Sequence, residues 1–156
     1  MIRSSENSKS ASWFCLPSLP VFFGILFFIL VSCFKGQFMR GDGGQGVHVR
    51  AGEFILSTSK IPQADPFSFF VPPLPWTAHE WLSEVIMALV HRVGGLTGVV
   101  IFFCLLLSVI YASLFGYLYR RFHYFTAVLF IFLAMFASSF HWLARPHVFT
   151  YFFFIF

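Results

Sequence analysis

The chain has 156 residues, of which 58% are hydrophobic and only 10% charged, against roughly a quarter charged in ordinary soluble domains. Too little polar surface exists to cover a globule, which excludes a conventional soluble domain. The net charge of +4 comes from ten Lys and Arg scattered in ones and twos, with no basic stripe, so no nucleic-acid partner is expected.

The first apolar run extends from about Leu19 to Phe34, with Trp13 and Phe14 flanking it and Phe38 beyond, and predicts a membrane crossing over about 19–38. Pro17 and Pro20 stand at its start, where a helix tolerates proline. A rival reading takes Leu30-Val-Ser-Cys33 as a lipoprotein cleavage box, although its basic leader would be unusually long. Cys15, Cys33 and Cys104 fall in or beside apolar runs, the setting of free buried thiols rather than of a disulfide framework.

A polar connection follows, over about 39–95, far longer than a link between two helices needs. Gly41-Asp-Gly-Gly-Gln-Gly46 opens it as a flexible stretch ahead of a helix N-terminus, where anions are favoured. From Gly46 the spacing of Val47, Ala51, Phe54 and Ile55 predicts an amphipathic helix, with His48, Arg50 and Glu53 off its apolar face. The prolines between Pro62 and Pro75 enforce extended or turn backbone. Thr77 with Glu80 resembles a capping box, and a second amphipathic helix carries Trp81, Val85, Ala88 and Leu89 on one face until Gly94-Gly95 ends it.

Two further crossings are expected over about 96–119 and 125–140, separated by Arg120-Arg121, and the polar turn His141-Trp-Leu-Ala-Arg-Pro-His147 leads to a fourth apolar run over 148–156. That last run has about half the length of a span, so the chain is expected to be a fragment of a longer protein. Arg3, Lys9, Arg120 and Arg121 belong on the cytoplasmic side by the positive-inside rule. The segment from about Lys35 to Gly95, whose five basic residues are balanced by five acidic ones, is then extracytoplasmic together with the turn at Arg145. The expected fold is an all-α polytopic membrane protein: three complete transmembrane helices plus a truncated fourth, and a long outer loop carrying two amphipathic helices. Its place is the plasma (inner) membrane, with the lipid bilayer as its first partner.

Four blocks in order, Gly41-Asp-Gly-Gly-Gln-Gly-Val-His-Val-Arg-Ala-Gly-Glu-Phe-Ile-Leu56, Ile61-Pro-Gln-Ala-Asp-Pro-Phe-Ser68, Pro75-Trp-Thr-Ala-His-Glu-Trp-Leu82 and Leu143-Ala-Arg-Pro-His147, resemble the opening of bacterial membrane glycosyltransferases of the C-type superfamily. Protein mannosyltransferases and aminoarabinose transferases are relatives of that group. The resemblance covers nearly all the chain after the first apolar run. It implies that residues 1–156 are the N-terminal portion of one glycosyltransferase-like transmembrane domain, which transfers a sugar from a polyprenyl-phosphate carrier to an acceptor. A carboxylate in the first outer loop would remove the acceptor proton, and cationic side chains would hold the departing lipid phosphate. On that pattern Asp42 is the candidate base, Arg145, His141 and His147 are candidates for the phosphate, and Arg50 and His48 are helpers.

The subgroup usually reads Gly-Asp-Gly-Asp-Thr-Gly-Trp-His, whereas Gly44 and Val47 stand here for the second acid and the Trp. A metal site built from both acids is incomplete, so no metal and no cofactor are expected. Each singled-out residue also has a plainer role. Asp42 and Asp65 suit turns, His48, Arg50 and Glu53 suit a wet helix face, His79 and Glu80 suit a cap, and Arg145 suits the end of a span. A non-catalytic lipid- or glycan-binding subunit and an inactive structural fragment therefore stand beside the transferase reading.

Overall fold

The computed structural model describes residues 17–156; Arg3, Lys9, Trp13, Phe14 and Cys15 lie outside the described residues. Within them every regular element is helical, and the only strand-like pairing is an isolated bridge between Ala64 and Pro75. The order is α1 (Leu19–Phe34), α2 (Gly36–Arg40), α3 (Gly43–Thr58), α4 (Trp81–Arg121), α5 (Tyr124–Ser138) and α6 (His147–Ile155), with a turn of 3-10 helix at Ser139–His141 before α6.

Two helices are long and apolar enough to cross a membrane, Trp81–Arg121 and the continuous stretch Tyr124–His141. The first expected crossing is shorter than its sequence suggests. α1 has 16 residues, a rise of about 24 Å at roughly 1.5 Å per residue, and it stops at Phe34 because the chain bends at Lys35 into the five-residue α2. Cys33 lies near the end of α1, and both Cys33 and Cys104 are free thiols. α6 has nine residues.

α4 is one element only by hydrogen-bond pattern. Gly95 sits at φ 60°, ψ −162°, a combination open essentially to glycine alone, and it divides an amphipathic segment, 81–94, from a more apolar one, 96–121. The expected end of the second amphipathic helix at Gly94-Gly95 is therefore a change of direction inside a longer helical run.

α3 packs lengthwise on segment 81–94. The approach is close enough that a Cβ on Gly52 would lie 2.0 Å from the Glu84 carbonyl oxygen and 2.9 Å from Ala88 Cβ. This contact buries part of the expected faces, Ala51 and Ile55 on α3 and Ala88 on 81–94, and leaves other expected residues outside. Gln45, Val49, Ala51, Gly52 and Ile55 are buried on α3 while Val47 is exposed; on 81–94 Glu84, Met87 and Ala88 are buried while Trp81 and Leu89 are exposed. The second helix also starts later than the capping-box reading places it. Thr77 accepts a turn hydrogen bond from the His79 amide, and Glu80 is the residue before α4, with no side-chain cap bond.

Below this pair, α1 runs against segment 96–121. Phe23 meets Phe115, and Phe27 meets Tyr111, at ring separations of 5.0 Å each. Phe103, Cys104, Leu107 and Ile110 form the buried spine. α5 and α6 flank the same segment, and the first half of α6 docks through Phe149 on Phe102 and Phe103.

Candidate functional site

The site is built where the N-terminus of α3 meets the turn between α5 and α6. Asp42 is the N-cap of α3, and its Oδ1 accepts from the Gly44 amide at 3.2 Å. Capping by a short acidic side chain satisfies one of the free amides of the first helical turn, so the helix begins at Gly43, inside the glycine-rich stretch, rather than after it.

Arg145 reaches the same carboxylate from 103 positions away in the sequence. Its Nε donates to Asp42 Oδ2 and its Nη2 to Oδ1, both at 2.6 Å. This is the two-pronged geometry in which a planar guanidinium matches a carboxylate or a phosphate. The Asp42 side chain is 8% exposed and the Arg145 side chain 40%, so one side of the guanidinium faces outward. The Arg145 fork holds the Asp42 carboxyl below the usual carboxylate range, against an opposing push from burial, with the Gly44 amide and the charge of His48 assisting. Arg145 is reciprocally raised, chiefly by its bond to Asp42.

Gly44 makes this arrangement possible. A Cβ there would lie 2.9 Å from Arg145 Cζ, Nε and Nη2, so the guanidinium occupies the space that a side chain at position 44 would need. The acid found at this place in the resembled pattern and the Arg145 conformation seen here exclude each other.

The turn carrying Arg145 is fixed by aromatic packing. Trp142 stands edge-on to Phe27 at 5.2 Å and lies 5.5 Å from Tyr111, and its Nε1 donates to Tyr111 Oη at 3.0 Å. Tyr111 Oη also makes a very short contact with Ser138 Oγ. Trp142, Ala144 and Val148 are buried, so alternate residues of the turn are anchored while Arg145 points to Asp42.

His48, one turn along α3, faces two carboxylates at the start of α4: Nδ1 lies 3.0 Å from Oε1 of Glu84, within the helix, and 4.0 Å from Oε2 of Glu80, the residue before it. Glu84 is 3% exposed, and its Oε2 has no hydrogen-bond partner among the described residues; the same is true of Nε2 of the buried Gln45. Burying a carboxylate without full pairing is costly, and burial of Glu84 marks it as more than a solvated helix residue. Sequence reading missed Glu84 and Gln45 because buried polar residues on a helix face are invisible to hydrophobic periodicity.

The other expected residues make no hydrogen bond or ion pair with Asp42 or Arg145 among the described residues. Arg50 is exposed and pairs with Glu53 at 3.0 Å, while Glu53 also contacts His91 at 3.2 Å. His141 and His147 stand together, rings 6.1 Å apart, on the turn that carries Arg145; the His147 ring nitrogen Nε2 lies 2.7 Å from the His141 carbonyl. Asp65 accepts from the amides of Phe67 and Ser68, as a turn former does, and those amides lower its pKa. Among the described residues no group of three or more His, Cys, Asp and Glu is placed to hold a metal ion.

No protein-family model, no curated protein and no solved structure matches the chain.

Proposed function

We propose that this chain forms the donor-binding side of a membrane glycosyltransferase that moves a sugar from a polyprenyl-phosphate carrier to an acceptor on the extracytoplasmic side. The observation that carries the reading is the Arg145 fork on Asp42 at the N-terminus of α3. A guanidinium that binds a carboxylate in two-pronged fashion suits a lipid phosphate equally well, and the helix N-terminus beside it adds amides that favour an anion. The charge pattern supports three membrane crossings, α1, the 96–121 segment and α5, with a fourth begun by α6, and the 39–95 connection outside the plasma (inner) membrane.

In this reading the donor phosphate displaces Asp42 from Arg145. Asp42 then loses the contact that depresses its pKa and becomes a better base. It takes the proton of the acceptor hydroxyl as that oxygen bonds to the anomeric carbon. The bond from the anomeric carbon to the phosphate oxygen breaks, and its electron pair leaves with the polyprenyl phosphate, whose charge Arg145 neutralises. His141 and His147, which share the turn with Arg145 and contact each other, assist at the phosphate in this reading, and His48 contacts Glu84. The mechanism calls on no metal or cofactor.

A second reading has a specific observation behind it: both Asp42 oxygens are engaged by Arg145, and a carboxylate with a depressed pKa is a weak base. On that reading the chain is a non-catalytic lipid- or glycan-binding subunit. The test is transfer by the chain reconstituted in proteoliposomes with polyprenyl-phosphate hexose, read as released polyprenyl phosphate. Turnover lost in Asp42→Asn with lipid phosphate still bound supports the enzyme. Binding without turnover in the unaltered chain supports the subunit and sinks the transferase reading for these residues.

A further inference from the structure

The segment 66–75, between α3 and α4, contains ten residues and no charge: Pro-Phe-Ser-Phe-Phe-Val-Pro-Pro-Leu-Pro. Its base is closed by two backbone hydrogen bonds, Asp65 amide to Leu74 carbonyl at 2.8 Å and Trp76 amide to Gln63 carbonyl at 2.9 Å. Phe67 packs on Trp76 at 6.0 Å, and the Asp65 carboxylate caps the turn that follows. This is a built loop rather than a loose tether. Its tip nevertheless turns Phe69, Phe70 and Val71 outward, with Phe69 and Val71 almost wholly exposed and Leu74 half exposed. So large an apolar projection with no partner on its own chain marks an interaction surface.

The occupant is indicated by what stands at the loop's base. Pro66 and Phe67 share an open groove of about 720 Å³ with Arg50, Glu53, Phe54 and Arg92. Glu53 is engaged by Arg50 and His91, while Arg92 makes no ion pair among the described residues. Arg92 is also three positions before the Gly95 break, after which residues 96–119 carry no charge. If segment 96–121 crosses the bilayer, Arg92 lies at headgroup level, and the loop starts from that level with an uncharged, aromatic tip.

We propose that loop 66–75 inserts into the outer lipid leaflet, with Phe69, Phe70 and Val71 among the acyl chains and Arg92, aided by Arg50, on the phosphate of an anionic phospholipid headgroup. A greasy tip above a cationic base is the arrangement that interfacial anchoring requires. The inference rests on the membrane-crossing reading of segment 96–121 and not on sugar transfer, so the two can fail separately. Anchoring the middle of the 39–95 connection to the bilayer at this loop would hold the Asp42–Arg145 pair at a fixed height.

The experiment is a nitroxide depth measurement on the chain in nanodiscs containing phosphatidylglycerol, with the native cysteines replaced by serine. A label at Phe70→Cys should match one at Ile101→Cys, on the apolar segment, in being reached by oxygen and shielded from a water-soluble nickel complex; a label at Lys60→Cys should show the opposite. Equal nickel access at positions 70 and 60 overturns the proposal, as does shielding of position 70 from both reagents, which would mean a protein partner. Native mass spectrometry on phosphatidylglycerol added to the solubilised chain supplies the second arm. Arg92→Gln should weaken the tightest bound lipid about fivefold, as loss of one basic contact does, and an unchanged affinity contradicts the headgroup assignment.

Discussion

Replacing Gly52 by Ala should push α3 and α4 apart and break the His48–Glu84 contact. The added Cβ would lie 2.0 Å from the Glu84 carbonyl oxygen and 2.5 Å from its carbon, where nonbonded contacts need about 3.5 Å, so the helices must separate by more than about 1 Å. The obstacle is backbone, which cannot swing aside, and overpacking of this kind costs about 3 kcal/mol. Stretching the 3.0 Å His48–Glu84 contact removes about 1 kcal/mol more, and the better helix propensity of Ala returns about 1 kcal/mol. The net cost of about 3 kcal/mol corresponds to a Tm lowered by on the order of 6–12 °C for a chain of this size. Gly46→Ala, on the same helix with nothing within 4 Å of the new Cβ, supplies the control and should raise Tm by about 1–4 °C. Thermal unfolding of the two variants in one detergent is the assay. A Gly52→Ala protein as stable as the unaltered chain would refute the close packing of α3 on 81–94.

The Asp42–Arg145 pair has a definite pH signature. The Arg145 fork holds Asp42 below the ordinary carboxylate range in the folded chain, so its contribution is complete at neutral pH and is lost as pH falls through the lowered folded value. The stability gap between the unaltered chain and Asp42→Asn, measured in parallel melts, should therefore stay constant from about pH 7 to 5 and close only below about pH 4; a gap that closes above about pH 5 would contradict the pairing. Trp142→Ala should cost about 3–5 kcal/mol, as loss of a buried aromatic does, and release Arg145 from Asp42, visible as a return of the Asp42 carboxyl toward its ordinary titration in carbon NMR. Glu84→Gln should keep the fold and a hydrogen bond to His48, whereas Glu84→Ala should lower Tm further, because it leaves the imidazole facing a cavity. Equal melting of the two would remove Glu84 from the cluster.

The sequence shows the helical class, the apolar segments after Gly95 and after Tyr124, and the break itself, since long uncharged runs and a Gly-Gly pair are strong local signals. It shows the faces of the two amphipathic helices only in part. Gly52 packs against backbone, and Gln45 and Glu84 are buried polar residues that hydrophobic periodicity does not see; apolar spacing finds the buried Ala51, Ile55 and Ala88 but also points to Val47, Trp81 and Leu89, which are exposed. Gly43 and Gly44 read as loop from propensity, and only the Asp42 cap shows why the helix starts there. Asp42 and Arg145 were each visible as candidates, but their joining depends on the Trp142 packing that places a turn 103 positions away, and no local pattern encodes that.

Affinity for undecaprenyl phosphate in nanodiscs, compared among the unaltered chain, Arg145→Gln and Asp42→Asn, bears most directly on the idea that a lipid phosphate takes the place of Asp42 on Arg145. Loss of the charged fork should weaken binding by roughly 10- to 100-fold, the worth of a charge-assisted pair. Asn remains a good N-cap and ceases to compete for the guanidinium, so Asp42→Asn should bind as tightly as the unaltered chain or more tightly. An Arg145→Gln protein with undiminished affinity, or an Asp42→Asn protein weakened as much as Arg145→Gln, would contradict it.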